Sequence, residues 1–285
     1  MTHYKCKGCL LASKCKKADA PPLICPHKVA LHGHNGKGGR LGASCVPADY
    51  RGVLLSNSPV AKDQQRIYDA LGNYVGTFDR QFTEVADAYY EFLLSKGYDE
   101  ATADHKTRIK SLYLWSENSG TGKTTTACAI LNEWVLASYL GALQRGVQAP
   151  QLTAYFLDVN ALQNDYNQFN RPRVPESIAE EASARYYKAL DMATKAPFAV
   201  LDDIGVRGCT EAFRSDLHSC VNERVTQHRL TVYTSNLPLR YKGEKNPAHK
   251  PYDLVDIFGE ERLVDRIGDL CCEFYFEGVS KRGHR

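Results

Sequence analysis

The stretch Leu112-Tyr113-Leu114-Trp115-Ser116-Glu117-Asn118-Ser119-Gly120-Thr121-Gly122-Lys123-Thr124-Thr125-Thr126 decides how the rest of the chain is read. A short apolar run enters a glycine-bearing turn, and the helical pattern Ala127 to Trp134 follows, so the local order is strand, loop, helix. Glycines in such a loop let backbone N–H groups curl around an anion. Lys123 can then reach the outer phosphates and the Thr124 hydroxyl can ligate Mg²⁺. The helix points its positive end at the same place. Ser119, Gly120, Thr121, Gly122, Lys123, Thr124 and Thr125 are the candidate nucleotide-binding residues. The full pattern G-x-x-x-x-G-K-[ST] is met except at its first glycine, where Glu117 stands. A carboxylate beside phosphates repels them, so Glu117 is expected to face outward.

A second acidic signature lies about 80 residues further on, in Ala196-Pro-Phe-Ala-Val-Leu-Asp202-Asp203-Ile-Gly205. An apolar strand ending in two acids, at this distance after a phosphate loop, is the Walker B arrangement. Asp202 is the candidate Mg²⁺ carboxylate and Asp203 the candidate water-polarising one. Asp203 is one methylene shorter than the glutamate common at that position, which is compatible with slow hydrolysis.

The 285 residues suffice for one large domain and a small one. An apolar share of 43% and a charged share of 24% are those of an ordinary globular chain. No signal peptide or membrane span is read, so a cytoplasmic location is expected. The ten cysteines are then expected to be thiols or metal ligands. The net charge of +3 is unevenly placed: residues 1–46 carry eight Lys/Arg against Asp19 alone. A basic head suits nucleic acid or an acidic protein face, and equally a solvated surface.

That head carries Cys6-x₂-Cys9-x₅-Cys15-x₉-Cys25, followed by Pro26-His27, with Cys45 beyond. About 45 residues bury too little apolar surface to fold unaided. Four ligands around Zn²⁺ supply an apparent ~10–16 kcal/mol, enough to order such a piece. Cys6, Cys9, Cys15 and Cys25 are the candidate metal ligands, with His27, His32, His34 and Cys45 as rivals for the fourth place.

Between head and loop, a helix is predicted from Lys62, with Ile67, Leu71, Tyr74, Val75 and Phe78 on one stripe. Another is predicted from Glu84 to Leu94, ended by Gly97. The loop's own helix should run to about Leu143, and Leu152 to Leu157 reads as a buried strand. Asp158 to Lys195 is helical in composition with breaks at Pro172 and Pro175. Its Arg171, Arg173, Arg185 and Lys188 alternate with Tyr166, Phe169, Tyr186 and Tyr187, the mixture that contacts single-stranded nucleic acid. A solvated helical face accounts for it equally well.

Further on come Leu230-Thr-Val-Tyr-Thr-Ser-Asn236, Gly259-Glu-Glu-Arg-Leu-Val-Asp265-Arg266 and Phe276-Glu-Gly-Val-Ser-Lys-Arg282. With Val46-Pro-Ala-Asp-Tyr-Arg51, the phosphate loop and Leu201-Asp-Asp-Ile-Gly205, their order resembles the DnaC/DnaI-type AAA+ helicase loaders. The transposase-helper ATPase IstB is a close relative of that family. The resemblance covers most of residues 46–285. It implies a three-layer α/β AAA+ ATPase domain with a parallel sheet over residues 47–285, preceded by a zinc-binding, helicase-interacting domain at 1–46. It also implies ATP and Mg²⁺ as cofactors, slow ATPase activity stimulated by DNA or partner, and self-assembly. Asn236 resembles the sensor-1 residue, Arg266 the arginine finger (with Arg262 as rival) and Arg282 the sensor-2 arginine. The implied partners are a DnaB-type hexameric replicative helicase and single-stranded DNA, with no membrane. An IstB-like role beside a DNA transposase and a non-hydrolysing adaptor are the alternatives. Glu117 and the short head suggest a divergent bacterial or phage-encoded member.

Overall fold

The computed structural model describes residues 9–15, 25–82, 85–205, 208–244, 246 and 252–280. Cys6 and Arg282 lie outside them. The chain divides into two compact units, one comprising residues 1–110 and 128–153, the other residues 111–127 and 154–285. The expected boundary after residue 46 falls inside the first unit.

The second unit is built on five parallel strands: β1 (Ser111–Trp115), β2 (Ala154–Asp158), β3 (Phe198–Asp202), β4 (Leu230–Ser235) and β5 (Cys271–Tyr275). They lie in the order β2-β3-β4-β1-β5. Four of the five are buried along nearly their whole length, as strands covered on both faces must be, and β1, β2 and β3 each carry an apolar run. Parallel neighbours need crossovers. Helices α8 (Val159–Asn170), α9 (Glu176–Lys195) and α10 (Glu211–Thr226), with α11 (Leu254–Phe258) and α12 (Glu261–Leu270), supply most of them. On one face Tyr113, Tyr155, Leu157, Ala199, Leu201 and Tyr233 form a core with Tyr186, Phe213, Leu217, Val264 and Ile267 from these helices. The prolines divide α8 from α9 where the sequence places them, and Asp158 caps α8 by accepting from the Ala161 N–H at 3.0 Å.

Arg224 on α10 is fully buried within this unit and ties helix to sheet. Its guanidinium donates to the carbonyls of Ala193, Thr194, Ala196 and Leu230 and to Thr231 Oγ1. Burial lowers its pKa to about 10, still charged at neutral pH. Those carbonyls sit where α9 ends and β3 and β4 begin. One side chain thus ties together two chain reversals, α9 to β3 and α10 to β4.

In the first unit, α1 (Pro26–His32), α2 (Gly39–Ala43), α3 (Gln65–Val75), α4 (Phe78–Gln81), α5 (Val85–Ser95) and α6 (Glu100–Thr107) precede the sheet in sequence. The stripe predicted for α3 is met in part. Leu71 and Phe78 are buried, but Tyr68 takes the place given to Ile67, and Phe78 belongs to the next short helix. Phe78 and Phe82 pack edge-on against Trp134, at centroid distances of 5.1 and 4.9 Å.

Of the head's basic residues among those described, Lys14, Lys28 and Lys37 are exposed and Arg40 is drawn inward. Arg40 is buried, donating to the carbonyls of Ala30, Ala149 and Pro150, with its guanidinium carbon 4.9 Å from the Tyr139 ring centroid. Residues 25–45 therefore share a unit with the chain around 139–150. Buried His32 accepts the Leu10 N–H through Nε2 at 3.2 Å, and burial pushes its pKa down to about 4. That nitrogen is already engaged, which weighs against His32 as a metal ligand.

Helix α7 (Lys123–Gln144) runs one residue past its expected end, beginning in the second unit and continuing in the first. Against the expectation of no membrane-length segment, it is long and apolar enough to cross a bilayer. However, 83% of its apolar window is buried, as in a core helix.

Candidate nucleotide site at the carboxyl ends of the strands

Parallel alignment brings the ends of β1, β3 and β4 together. Trp115 stands opposite Ser235, Leu114 opposite Thr234, and Leu201 opposite Tyr233. The loops leaving these strands meet at the carboxyl edge of the sheet, where open α/β sheets bind their ligands.

The phosphate loop leaves β1 after Ser116, whose N–H donates to the Ser235 carbonyl at 3.2 Å. Gly120 and Gly122 have φ of +76° and +103°, backbone that side chains with a Cβ rarely adopt, so glycine is required at both. The loop closes into α7 with the Thr126 N–H donating to the Gly122 carbonyl at 2.9 Å. Glu117 is exposed, as its charge requires, and Ser119 is exposed with it. Thr121 and Thr125 are buried, Gly120 and Thr124 partly so. Asn118 donates to the Gly278 carbonyl at 2.9 Å, joining the loop to the segment after β5.

Lys123 is buried to 8% exposure, and its ammonium donates to Asn236 Oδ1 at 2.8 Å and to the Asn118 carbonyl at 3.0 Å. The predicted phosphate-binding lysine and sensor asparagine, far apart in sequence, are thus in direct contact. Thr124 Oγ1 lies 2.9 and 3.1 Å from the two carboxylate oxygens of Asp202. Thr234 Oγ1 donates to Asp202 Oδ1 at 2.7 Å. Burial raises the Asp202 pKa to about 6, opposed by the Thr234 and Thr124 hydrogen bonds and reinforced by Asp203 and Asp158. A partly buried carboxylate with two hydroxyl donors and, among the described residues, no ion pair is an environment that a divalent cation would complete. The loop amides, Lys123, Thr124 and Asp202 therefore fit a magnesium nucleotide.

Asp203 turns away from the strand with φ of +61°, a left-handed conformation that aspartate tolerates better than most residues. Its side chain accepts from Asn160 Nδ2 at 2.8 Å. Neither Asn160 nor the Thr234 bridge was read from the sequence. Thr234 lies within a quoted motif, and Asn160 opens the helix after β2, but neither has a spacing signature of its own.

The Gly259 to Arg266 motif opens α12. Arg266 donates to Asn222 Oδ1 at 2.7 Å and to Thr226 Oγ1 at 2.9 Å, both on α10. Among the described residues it has no carboxylate partner, whereas Asp265 is held by Arg240. Arg262 is exposed and has no hydrogen bond or ion pair among the described residues. Arg282 cannot be related to the site, being outside them. Among the described residues no three His, Cys, Asp or Glu side chains gather as a metal site. Cys15 and Cys25 are free thiols there.

Fold and site together define a parallel α/β domain with a P-loop and a paired-acid strand end, a P-loop nucleotide-binding fold. No family model matches the sequence, and no curated protein matches it. Among solved structures, the chain is similar to the crystal structure of DnaI, at 18% identity and a TM-score of 0.48, over 83% of this chain and 94% of that one. It is similar to the DnaC helicase loader at 20% identity and a TM-score of 0.38, over 59% and 78%. It is also similar to AMPPCP-bound DnaA from Aquifex aeolicus at 15% identity and a TM-score of 0.40, over 79% of this chain and half (50%) of that one. At such identities and scores, the fold assignment rests on the strand order and the loop geometry.

Proposed function

We propose that this chain is an ATP-dependent AAA+ loader that binds a DnaB-type hexameric helicase and places it on single-stranded DNA at replication initiation. The observation that carries this reading is the convergence of Lys123, Thr124, Asp202 and Asn236 at one sheet edge, in the motif order of the loader family. In this reading the loop amides and Lys123 bind the phosphates, and Thr124 with Asp202 holds the cation. Magnesium, when bound, neutralises phosphate charge and orients the oxygens. Asp203 positions the attacking water once free of Asn160, and Asn236 senses the terminal phosphate. Arg266 reaches a neighbouring copy's nucleotide, where a trans arginine is worth ~10³–10⁵ in rate and makes turnover depend on assembly. Arg282 acts on the phosphates in cis.

For single-stranded DNA we propose the α8–α9 hairpin. Arg171, Arg173, Tyr187 and Lys188 are exposed, whereas Arg185 is taken up by Asp165 at 2.7 Å and Tyr186 is buried. That leaves a smaller basic-aromatic set than the sequence suggests. For the head we keep the zinc proposal on Cys6, Cys9, Cys15 and Cys25, as the helicase-binding element of residues 1–46. Its support is the cysteine spacing.

The test is capture of the host's replicative helicase by the full chain with ATP, repeated with a Cys6→Ser/Cys9→Ser variant. Capture by the wild type and its loss in the variant support the loader and the head together. Duplex DNA binding without helicase capture would turn the reading to a transposase-assisting ATPase.

A further inference from the structure

Thr234 is 2% exposed on β4, between the sensor asparagine and the acidic end of β3. Three successive residues across the strand boundary depend on it. Its Oγ1 meets Asp202 Oδ1 at 2.7 Å, and the same Oγ1 accepts the Asp203 backbone N–H at 2.8 Å. Its carbonyl accepts the Ile204 N–H at 3.0 Å. A hydroxyl has one hydrogen, and a backbone N–H can only donate. The direction at Oγ1 is therefore fixed: it accepts from Asp203 and must give its hydrogen to the Asp202 carboxylate.

Thr124, the other hydroxyl on Asp202, stands in the loop position that turns toward a bound cation. A cation there would take a lone pair of that hydroxyl and leave its hydrogen on Asp202, so Thr124 and Thr234 would hold the carboxylate together, with the direction of the Thr234 bond set by the Asp203 N–H. The same side chain pins the left-handed turn at Asp203, a strained backbone that persists only where its surroundings hold it. We infer that Thr234 is the positioning residue of this site: its hydroxyl fixes the cation-bearing carboxylate and the backbone of the water-positioning one together. This rests on the nucleotide reading above and deepens it.

The role belongs to the hydroxyl and not to the bulk of the side chain. Valine keeps the β-branched shape that a buried strand favours but leaves the Asp203 N–H without its acceptor and Asp202 short of a donor. Serine keeps both bonds and loses only a methyl group. Since the loop amides and Lys123 bind phosphates without Thr234, nucleotide affinity in the absence of cation should be indifferent to either change.

The experiment is binding of a fluorescent methylanthraniloyl-ATP to the full chain, with EDTA and across a Mg²⁺ titration, for the wild type, Thr234→Val and Thr234→Ser. Melting curves without nucleotide report whether each variant is folded. The expected result is equal affinity in EDTA for all three, and a Mg²⁺-dependent gain kept by serine but cut about tenfold in valine, the worth of one charge-assisted hydrogen bond. An unchanged gain in a folded valine variant overturns the inference. So does loss of the gain in the serine variant, a result that stands even if valine does not fold. A wild type that binds no nucleotide under either condition sinks the underlying nucleotide reading instead, a separate and recognisable outcome.

Discussion

Asn160 Nδ2 donates to Asp203 Oδ2 at 2.8 Å, so the carboxylate proposed to orient water is held by an amide from the helix after β2. A carboxylate that accepts a fixed donor is less free to take a water proton. Asn160 is exposed, so something arriving at that edge could displace it. Asn160→Ala is therefore predicted to raise basal ATP turnover severalfold and to shrink stimulation by partner or DNA. Steady-state phosphate release with and without single-stranded DNA checks this; an unchanged basal rate would count against a restraining role.

Lys123 and Asn236 touch, so removing either charge or amide disturbs the other. Lys123→Ala is predicted to abolish nucleotide binding or productive turnover. Asn236→Ala should leave binding within a few-fold while turnover falls by roughly 10²-fold, since a sensor acts after the phosphates are seated. Normal ATPase in the Lys123 variant would remove the phosphate-loop assignment.

Arg266 is oriented by two uncharged acceptors and has no carboxylate among the described residues, which leaves its charge available to a phosphate. Arg266→Ala should lose most stimulated turnover while keeping nucleotide affinity. In a mixture with Lys123→Ala, activity should partly return, because each variant supplies what the other lacks at a shared site. Asn222→Ala should show a milder form of the same defect. Arg262→Ala reproducing the full loss would transfer the finger role to that residue.

His32 gives the first unit a pH dependence. Its pKa is about 4 in the fold, against 6.5 in an unfolded chain, chiefly through burial, with Lys28 and Arg51 adding repulsion. Between these values the unfolded chain binds the extra proton, so stability is full above about pH 6.5 and declines as pH falls toward 4. The loss amounts to at most about 3 kcal/mol, less where water reaches the ring. Melting temperature should therefore fall more steeply from pH 7 to 5 in the wild type than in His32→Gln; parallel slopes would exclude His32 as the source.

Arg224→Ala should destabilise the sheet unit by about 2–4 kcal/mol, because four carbonyls and a hydroxyl lose their donor in a dry interior. Chemical denaturation at fixed pH measures this, and a loss below about 0.5 kcal/mol would show that water replaces the guanidinium.

The pattern of what the sequence revealed has a physical cause. Phosphate chemistry imposes its residues at short, fixed spacing, so Gly120, Gly122, Lys123 and Thr124 are legible and fold as read. Strands β1 to β3 announce themselves because burial on both faces favours continuous apolar residues. β5, Cys-Cys-Glu-Phe-Tyr, escaped because it is an edge strand, only partly buried and polar in the middle. Contacts such as Asn160 with Asp203, or Thr234 with Asp202, are made by common residues across strands and carry no local signal. Charge counting is coarse in the head for a related reason: composition does not tell Arg40, buried on carbonyls, from the exposed Lys14, Lys28 and Lys37.

The strand order also has a consequence for how the protein is made. β1, which launches the phosphate loop, pairs with β4 on one side and β5 on the other, and Ser111 finds Cys271 only after most of the chain has been synthesised. Such long-range pairing is slow to close. On the ribosome, the loop and the two acids are expected to exist as separate pieces until Leu230–Ser235, the strand between β1 and β3, has emerged, so a chain ending before it should not hold nucleotide. Nascent chains stalled before and after that point, compared for retention on ATP-agarose, would show whether activity arrives in a single late step.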